Sequence, residues 1–245
     1  MLWCKKCFVS AYQIWFVWSC LASLVQGATI LSAADLQLIG YRSDAPDSVA
    51  WVNWVPIQSG TQIHFTDNGW RADNTFRSGE DVLTWTSNSV LPVGSVVVIS
   101  SADLDGLSAS GDQILAYQGL ASNPQFVYGL DFSGSENPPI WDSDATNTKT
   151  STLPSGLAGF GSLAVRHFDN GQYSGPRSGL STIEFKTAIT DAANWNFSNS
   201  TSFASLSTEV FVLASSVPEP AAWLLWIAVA GSFLLVRLVM QGRRF

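Results

Sequence analysis

The side chains able to do chemistry are few. The chain has three cysteines, Cys4, Cys7 and Cys20, and two histidines, His64 and His167. Cys4-Lys5-Lys6-Cys7 has the spacing of a redox or metal pair. All three cysteines fall in the first twenty residues, however, in a stretch that reads as a leader, so the rest of the chain can form no disulfide. Two histidines are too few for a histidine-rich zinc centre. Ser–His–Asp catalysis needs only one, but each His sits in a strand-like pattern where a solvated strand residue is expected. No G-x-S-x-G, H-E-x-x-H or phosphate-binding loop occurs. Glu80-Asp81 offers half of a carboxylate pair for glycoside hydrolysis. Sequence neighbours on a strand point to opposite faces, so the two read as turn acids.

Oxygen ligands are more plentiful. Asp142, Asp144 and Thr146 in "DSDATN" place three oxygens on alternate positions, and "TDNG" is a second oxygen-rich turn. Calcium takes such hard oxygens from loops, and one structural calcium at Asp142, Asp144 and Thr146 is the metal expectation; no other cofactor is implied. "DLDG", 103–106, opens like an EF-hand loop and then fails, because Leu107 takes the third ligand place and no Glu closes it. Asp and Asn also make turns without any metal.

Six tryptophans, Trp51, Trp54, Trp70, Trp85, Trp141 and Trp195, lie in the central part of the chain. Exposed Trp stacks on sugar rings; buried Trp is core. Trp51 and Trp54 face opposite sides of a strand. Trp70 and Trp141, in turn-rich segments, are the candidates for exposure and glycan contact. Asn196 and Asn199 open sequons that read as chance matches in a Ser/Asn-rich stretch.

These residues need a scaffold, and the pattern is strand-like. Short apolar runs at 36–41, 50–55, 62–66, 82–86, 95–100, 113–117, 125–130, 163–167 and 209–213 are separated by Gly, Asn, Asp, Ser and Pro. "TQIHFTD" alternates, and "VVVIS", apolar on both faces, reads as a central strand. One weakly amphipathic helix is expected over 181–193. Asn68-Gly69 and Asn170-Gly171 read as tight turns, 138–154 as one long loop, and 198–207 as a polar linker or loop before a last strand. The fold class is mainly β, a sandwich with one short helix. Between Thr29 and Ser216 there are seven basic against eighteen acidic side chains, a balance of −11. That surface repels phosphate backbones and argues against nucleic acid as a partner.

The ends have a different character. Residues 1–28 read as a signal peptide: Lys5 and Lys6, an apolar stretch 8–25, then Gln26-Gly27-Ala28. A retained N-terminal anchor is the other reading of this segment. Residues 221–240 are long and apolar enough for a transmembrane helix, and Arg237, Arg243 and Arg244 make its far end basic, facing the cytoplasm. Pro218-Glu219-Pro220 precedes it; the prolines hold the chain extended, and Glu219 suits the positive end of a helix dipole.

Together, "VPEPAAWLLWIAVAGSFLLVRLVMQGRRF" resembles the PEP-CTERM sorting signal over residues 217–245. The resemblance implies recognition by an exosortase at the inner membrane, cleavage near Pro218-Glu219-Pro220, and release to the cell surface or an exopolysaccharide matrix. Arg237, placed before Leu238, departs from an unbroken apolar span. A softer resemblance, carried by "GYRSDAPDSVAWVNWVPIQSGTQIHFTDNGW", "SGDQILAYQG" and "DNGQYSG", is to the lamin-tail type of immunoglobulin-like sandwich; it implies a fold and no site. The organisation is then leader 1–28, exported sandwich 29–200, last strand or linker 201–216, and sorting signal 217–245. The expected role is a non-enzymatic surface or exopolysaccharide-matrix protein. Two alternatives stand beside it: a secreted hydrolase of polysaccharide or phosphate esters, and a permanently membrane-anchored periplasmic domain.

Overall fold

The computed structural model describes residues 27–100, 106–200, 203 and 205–215. The leader up to Gln26, the Pro-Glu-Pro motif and the apolar span 221–240 lie outside them. Among the described residues no helix is long and apolar enough to cross a membrane.

The fold is mainly β. In chain order the strands are β1 Leu36–Arg42, β2 Ser48–Asn53, β3 Gln62–Thr66, β4 Val82–Thr86, β5 Val96–Ser100, β6 Gln113–Leu120, β7 Asn123–Gly134, β8 Ser162–Arg166, β9 Asn170–Tyr173, β10 Ser178–Leu180, β11 Trp195–Ser198 and β12 Val212–Leu213. The helix α1 is Thr182–Thr190, followed by a short 3-10 turn, Ala192–Asn194. One sheet has the order β11-β9-β1-β2-β5 and the other β4-β3-β6-β7-β8. Pairing is antiparallel except for β7 with β8 and β10 with β12.

The two sheets meet through aromatic side chains. Tyr41 of β1 stacks on Phe132 of β7, with ring centroids 4.3 Å apart. Trp51 of β2 lies 6.1 Å from Phe65 of β3 and 5.0 Å from Trp85 of β4. Every position of β1 and β2 is buried, because the far face of their sheet is covered as well. There α1 docks by Phe185 and Ile189, and the returning chain presses Leu206 against Gly40. The β4 strand instead alternates between exposed and half-buried positions, as a strand with one wet face should.

Several sequence-based expectations change here. The VVVIS strand, β5, lies at a sheet edge rather than in the centre. Its valines pack against the core while staying half-buried, so the unbroken apolar run reflects cover on both faces and not a central place. Asn170-Gly171 is no turn: it opens β9, and Gly171 pairs with both Tyr41 and Phe197. The helix is shorter than 181–193, since Asp191 caps the 3-10 turn through Ala193 N. Trp54 falls just past the end of β2 rather than within a strand, and like Trp51 it is buried, against Phe185 and Phe211 at 5.6 and 5.4 Å.

The strand directions divide the sandwich into two ends. Where β3 and β5 begin, Thr29 N donates to Thr61 Oγ1 at 2.8 Å and Phe211 N to Gly94 O at 2.8 Å. Both termini of the described domain leave from this end. The acidic loops lie at the other end, where β1, β3 and β7 finish and β2 and β6 start.

Candidate functional site

The acids at that far end belong to segments distant in sequence. Asp67 follows β3, Glu80 precedes β4, and Asp112 precedes β6, whose first residue is Gln113. Hydrogen bonds hold these loops together. Asn68 Nδ2 donates to Glu80 O at 2.8 Å, and Glu80 N donates back to Asn68 Oδ1 at 3.2 Å. Thr66 Oγ1 donates to Asp81 O at 2.6 Å. Gln113 Nε2 lies against the carbonyl oxygen of Asp67, 3.0 Å from Asp112 Oδ1 and 3.1 Å from Thr148 O. Asp112 takes N–H groups from Ser108 and Gln113, both at 2.8 Å, and Asp47 Oδ2 takes those of Gly106 and Leu107 at 3.1 and 3.0 Å.

Burial raises the proton affinity of these carboxyls, and neighbouring charge adds to it. Asp67 rises to about 6, with Asp81 and Asp47 contributing. Glu80 rises to about 7, from burial and then Asp67, with Arg77 opposing. Asp112 rises to about 8, with Asp67 and Glu80 contributing after burial. Asp131, at the end of β7, is raised to about 6 mainly by burial, although Ser133 donates both its N–H and its hydroxyl to Oδ1. The cation beside Glu80 is Arg77, 3.6 Å away. Mutually repelling, shielded carboxyls are a functional-site signal that structural networks can also give.

No family model, curated protein or solved structure matches this chain. The geometry alone therefore carries the functional reading.

The expected site residues are placed as follows. Asp144 Oδ1 accepts the N–H groups of Ala72 and Ala145 at 3.0 and 2.9 Å, tying its loop to the 71–72 turn. Thr146 Oγ1 faces Thr150 Oγ1 at 3.5 Å. Asp142 is pushed up by burial and, more weakly, by Glu136, while a Ser151 N–H opposes the shift. The three thus have separate partners. Trp70 is not exposed: only 6 % of it is accessible, because its loop folds back over the outer face of the second sheet. Its ring meets Phe76 and Phe126, both at 4.8 Å. Trp141 is half-buried against Gly129 and lines an open cleft of about 350 Å³ with Glu136, Ile140 and Asp142.

The His64 ring lies tilted against Tyr117 at 4.9 Å, its Nδ1 lies 2.9 Å from Thr84 Oγ1, and burial lowers its proton affinity. His167 Nε2 is 3.0 Å from Ala109 O and 3.4 Å from Asp169 Oδ1. Glu80 does converge with other acids, although not with Asp81: its partners come from other loops. Asp112 and Gln113 were missed by sequence reasoning, and their only local signal is a polar pair opening an apolar strand. Among the described residues no three acidic, imidazole or thiol groups form a ready metal-ligand set.

Gly69 locks the site to the long loop. A Cβ there would stand 2.2 Å from Thr150 O and 2.9 Å from Ala145 Cβ. Backbone cannot yield as a side-chain tip does, so Gly69→Ala should cost about 1–3 kcal/mol. The urea midpoint of unfolding measures this; an unchanged midpoint would show that the 145–150 segment is free to move aside.

Proposed function

We propose that the chain is a non-enzymatic, exported surface or exopolysaccharide-matrix protein whose domain is an immunoglobulin-like sandwich of the lamin-tail type. Export begins with the leader 1–28. The C-terminal segment 217–245 holds the protein at the inner membrane until an exosortase cuts near Pro218-Glu219-Pro220. The observation that supports this most is the order of the C-terminal segment: Pro-Glu-Pro, an apolar span and Arg243-Arg244, following a domain whose last strand ends at Leu213. Two face-to-face five-stranded sheets accord with the sandwich part of the reading. Trp141, beside Glu136 and Asp142 in an open cleft, is the residue that would stack on a sugar ring while the carboxylates accept its hydroxyls.

The test is the mass of the protein's C-terminal peptide, recovered from native cells and their medium. The expected end lies between Pro218 and Ala222, in protein freed from the inner membrane. An intact Arg243-Arg244-Phe245 end in the membrane fraction would instead make it a tethered periplasmic domain.

A further inference from the structure

The cluster around Gln113 has an arrangement that its hydrogen bonds do not explain. Gln113 is fully buried, and its amide nitrogen, with two hydrogens to give, faces three oxygens: Asp67 O, Asp112 Oδ1 and Thr148 O. The amide oxygen of Gln113 is buried without any hydrogen bond. So is Asp67 Oδ1, on a residue only 8 % exposed, and so is Glu80 Oε2. Buried oxygens that accept nothing are costly. Two of the three are on acids that repel one another, Asp67 and Glu80. Among the described residues the oxygens of Asp67 and Gln113 lack even an ion-pair partner, so the interlocked loops call for something positive among them.

Arg77 reaches Glu80 Oε2 at 3.6 Å and donates to Ser78 O, and Lys149, next to Thr148, is turned away to the hydroxyl of Ser110. The two ends of a glutamine amide are nearly interchangeable in shape. Turned over, Gln113 would bring its oxygen to the same three oxygens. The separations to Asp112 Oδ1 and Thr148 O, 3.0 and 3.1 Å, are what neighbouring ligands have around an ion with oxygens at about 2.4 Å; the Asp67 carbonyl stands closer and would draw back as the ion entered.

We propose that Asp67, Asp112, Gln113 Oε1 and the carbonyl oxygens of Asp67 and Thr148 form a calcium site, with Glu80 as an adjacent balancing charge. The donors are all hard oxygens, carboxylate and carbonyl, with no nitrogen or sulfur, which favours calcium or magnesium over transition metals. Two of them are backbone carbonyls on irregular loops. Calcium accepts such uneven spheres of six to eight ligands, whereas magnesium demands a small regular octahedron. Two carboxylates and three carbonyl-type oxygens need no third acid. The site differs from the 142–146 loop, and it stands independently of the sorting reading.

The test uses the full-length protein, stripped with EDTA and titrated with calcium chloride or magnesium chloride at neutral pH, followed by calorimetry and thermal unfolding. Wild type should bind one calcium saturably and melt roughly 3–6 °C higher at tenfold or greater excess over Kd, with magnesium much weaker. Asp67→Asn should weaken calcium at least tenfold and yet melt higher than wild type in EDTA, because one repelling charge is gone; a purely structural Asp67 would not reverse sign with the ion. Gln113→Glu should retain binding. Absence of saturable calcium binding by folded wild type overturns the proposal. So does calcium affinity that survives Asp67→Asn but falls in Asp144→Asn, which would move the site to the 142–146 loop.

Discussion

In the absence of metal, the protein should become markedly less stable as pH rises from about 4.5 to 8. The sign follows from four carboxyls. In the unfolded chain they titrate near 4. In the folded protein Asp67 and Asp131 hold their protons to about 6, Glu80 to about 7 and Asp112 to about 8. The folded state therefore binds more protons than the unfolded state across that window, and stability falls with rising pH. The contribution is complete below about 4 and is lost in steps, Asp67 and Asp131 first and Asp112 last. Each tenfold change in proton affinity is worth about 1.4 kcal/mol, so even half of the Asp112 displacement amounts to ~3 kcal/mol. Urea unfolding in EDTA at half-unit intervals reads the slope. A flat or rising profile between pH 5 and 8 would mean that water reaches these carboxylates freely.

Truncating Phe211 should be the most damaging change outside the sheets. Its ring is 3 % exposed and lies between 5.2 and 5.8 Å from Phe185, Trp54 and Tyr173. The Arg177 guanidinium covers it at 4.8 Å. Phe211→Ala should cost about 3–5 kcal/mol, lowering the melting temperature by about 2–4 °C per kcal/mol for a domain of this size. Gly94→Ala attacks the same contact from the backbone side. Gly94 has left-handed backbone geometry, φ +80°, and a Cβ would stand 2.1 Å from Phe211 O. If Phe211→Ala left the melting temperature intact and only exposed 205–215 to protease, the last strand would be a clip on the core rather than part of it.

Much of the scaffold was legible because strands announce themselves by local apolar runs. The stretches 62–66 and 82–86 are β3 and β4 as read from sequence. What escaped were features set by distant neighbours. Asn170-Gly171 has turn chemistry, but Gly171 is glycine because the Tyr41 ring stands 2.4 Å from where a Cβ would be. Asn170 is buried and donates to Asp44 Oδ2 at 2.6 Å. Trp70 sits among turn residues, and only folding of its loop onto Phe76 and Phe126 shows that it is covered. The acid cluster was the least legible part. Asp67, Glu80 and Asp112 each look like ordinary turn acids, and nothing local says that Gln113 ties Asp67 to Asp112 or that Asn68 brings Glu80 beside them.

Both termini of the domain leave from one end of the sandwich, and the acidic loops occupy the other. The strands between are mostly five to seven residues long, about 15–25 Å at ~3.3 Å per residue. The carboxylate-bearing loops therefore stand about that far from the end of the sandwich where residue 215 lies. Copies held side by side by that end would present their carboxylate-bearing loops together as an outer layer.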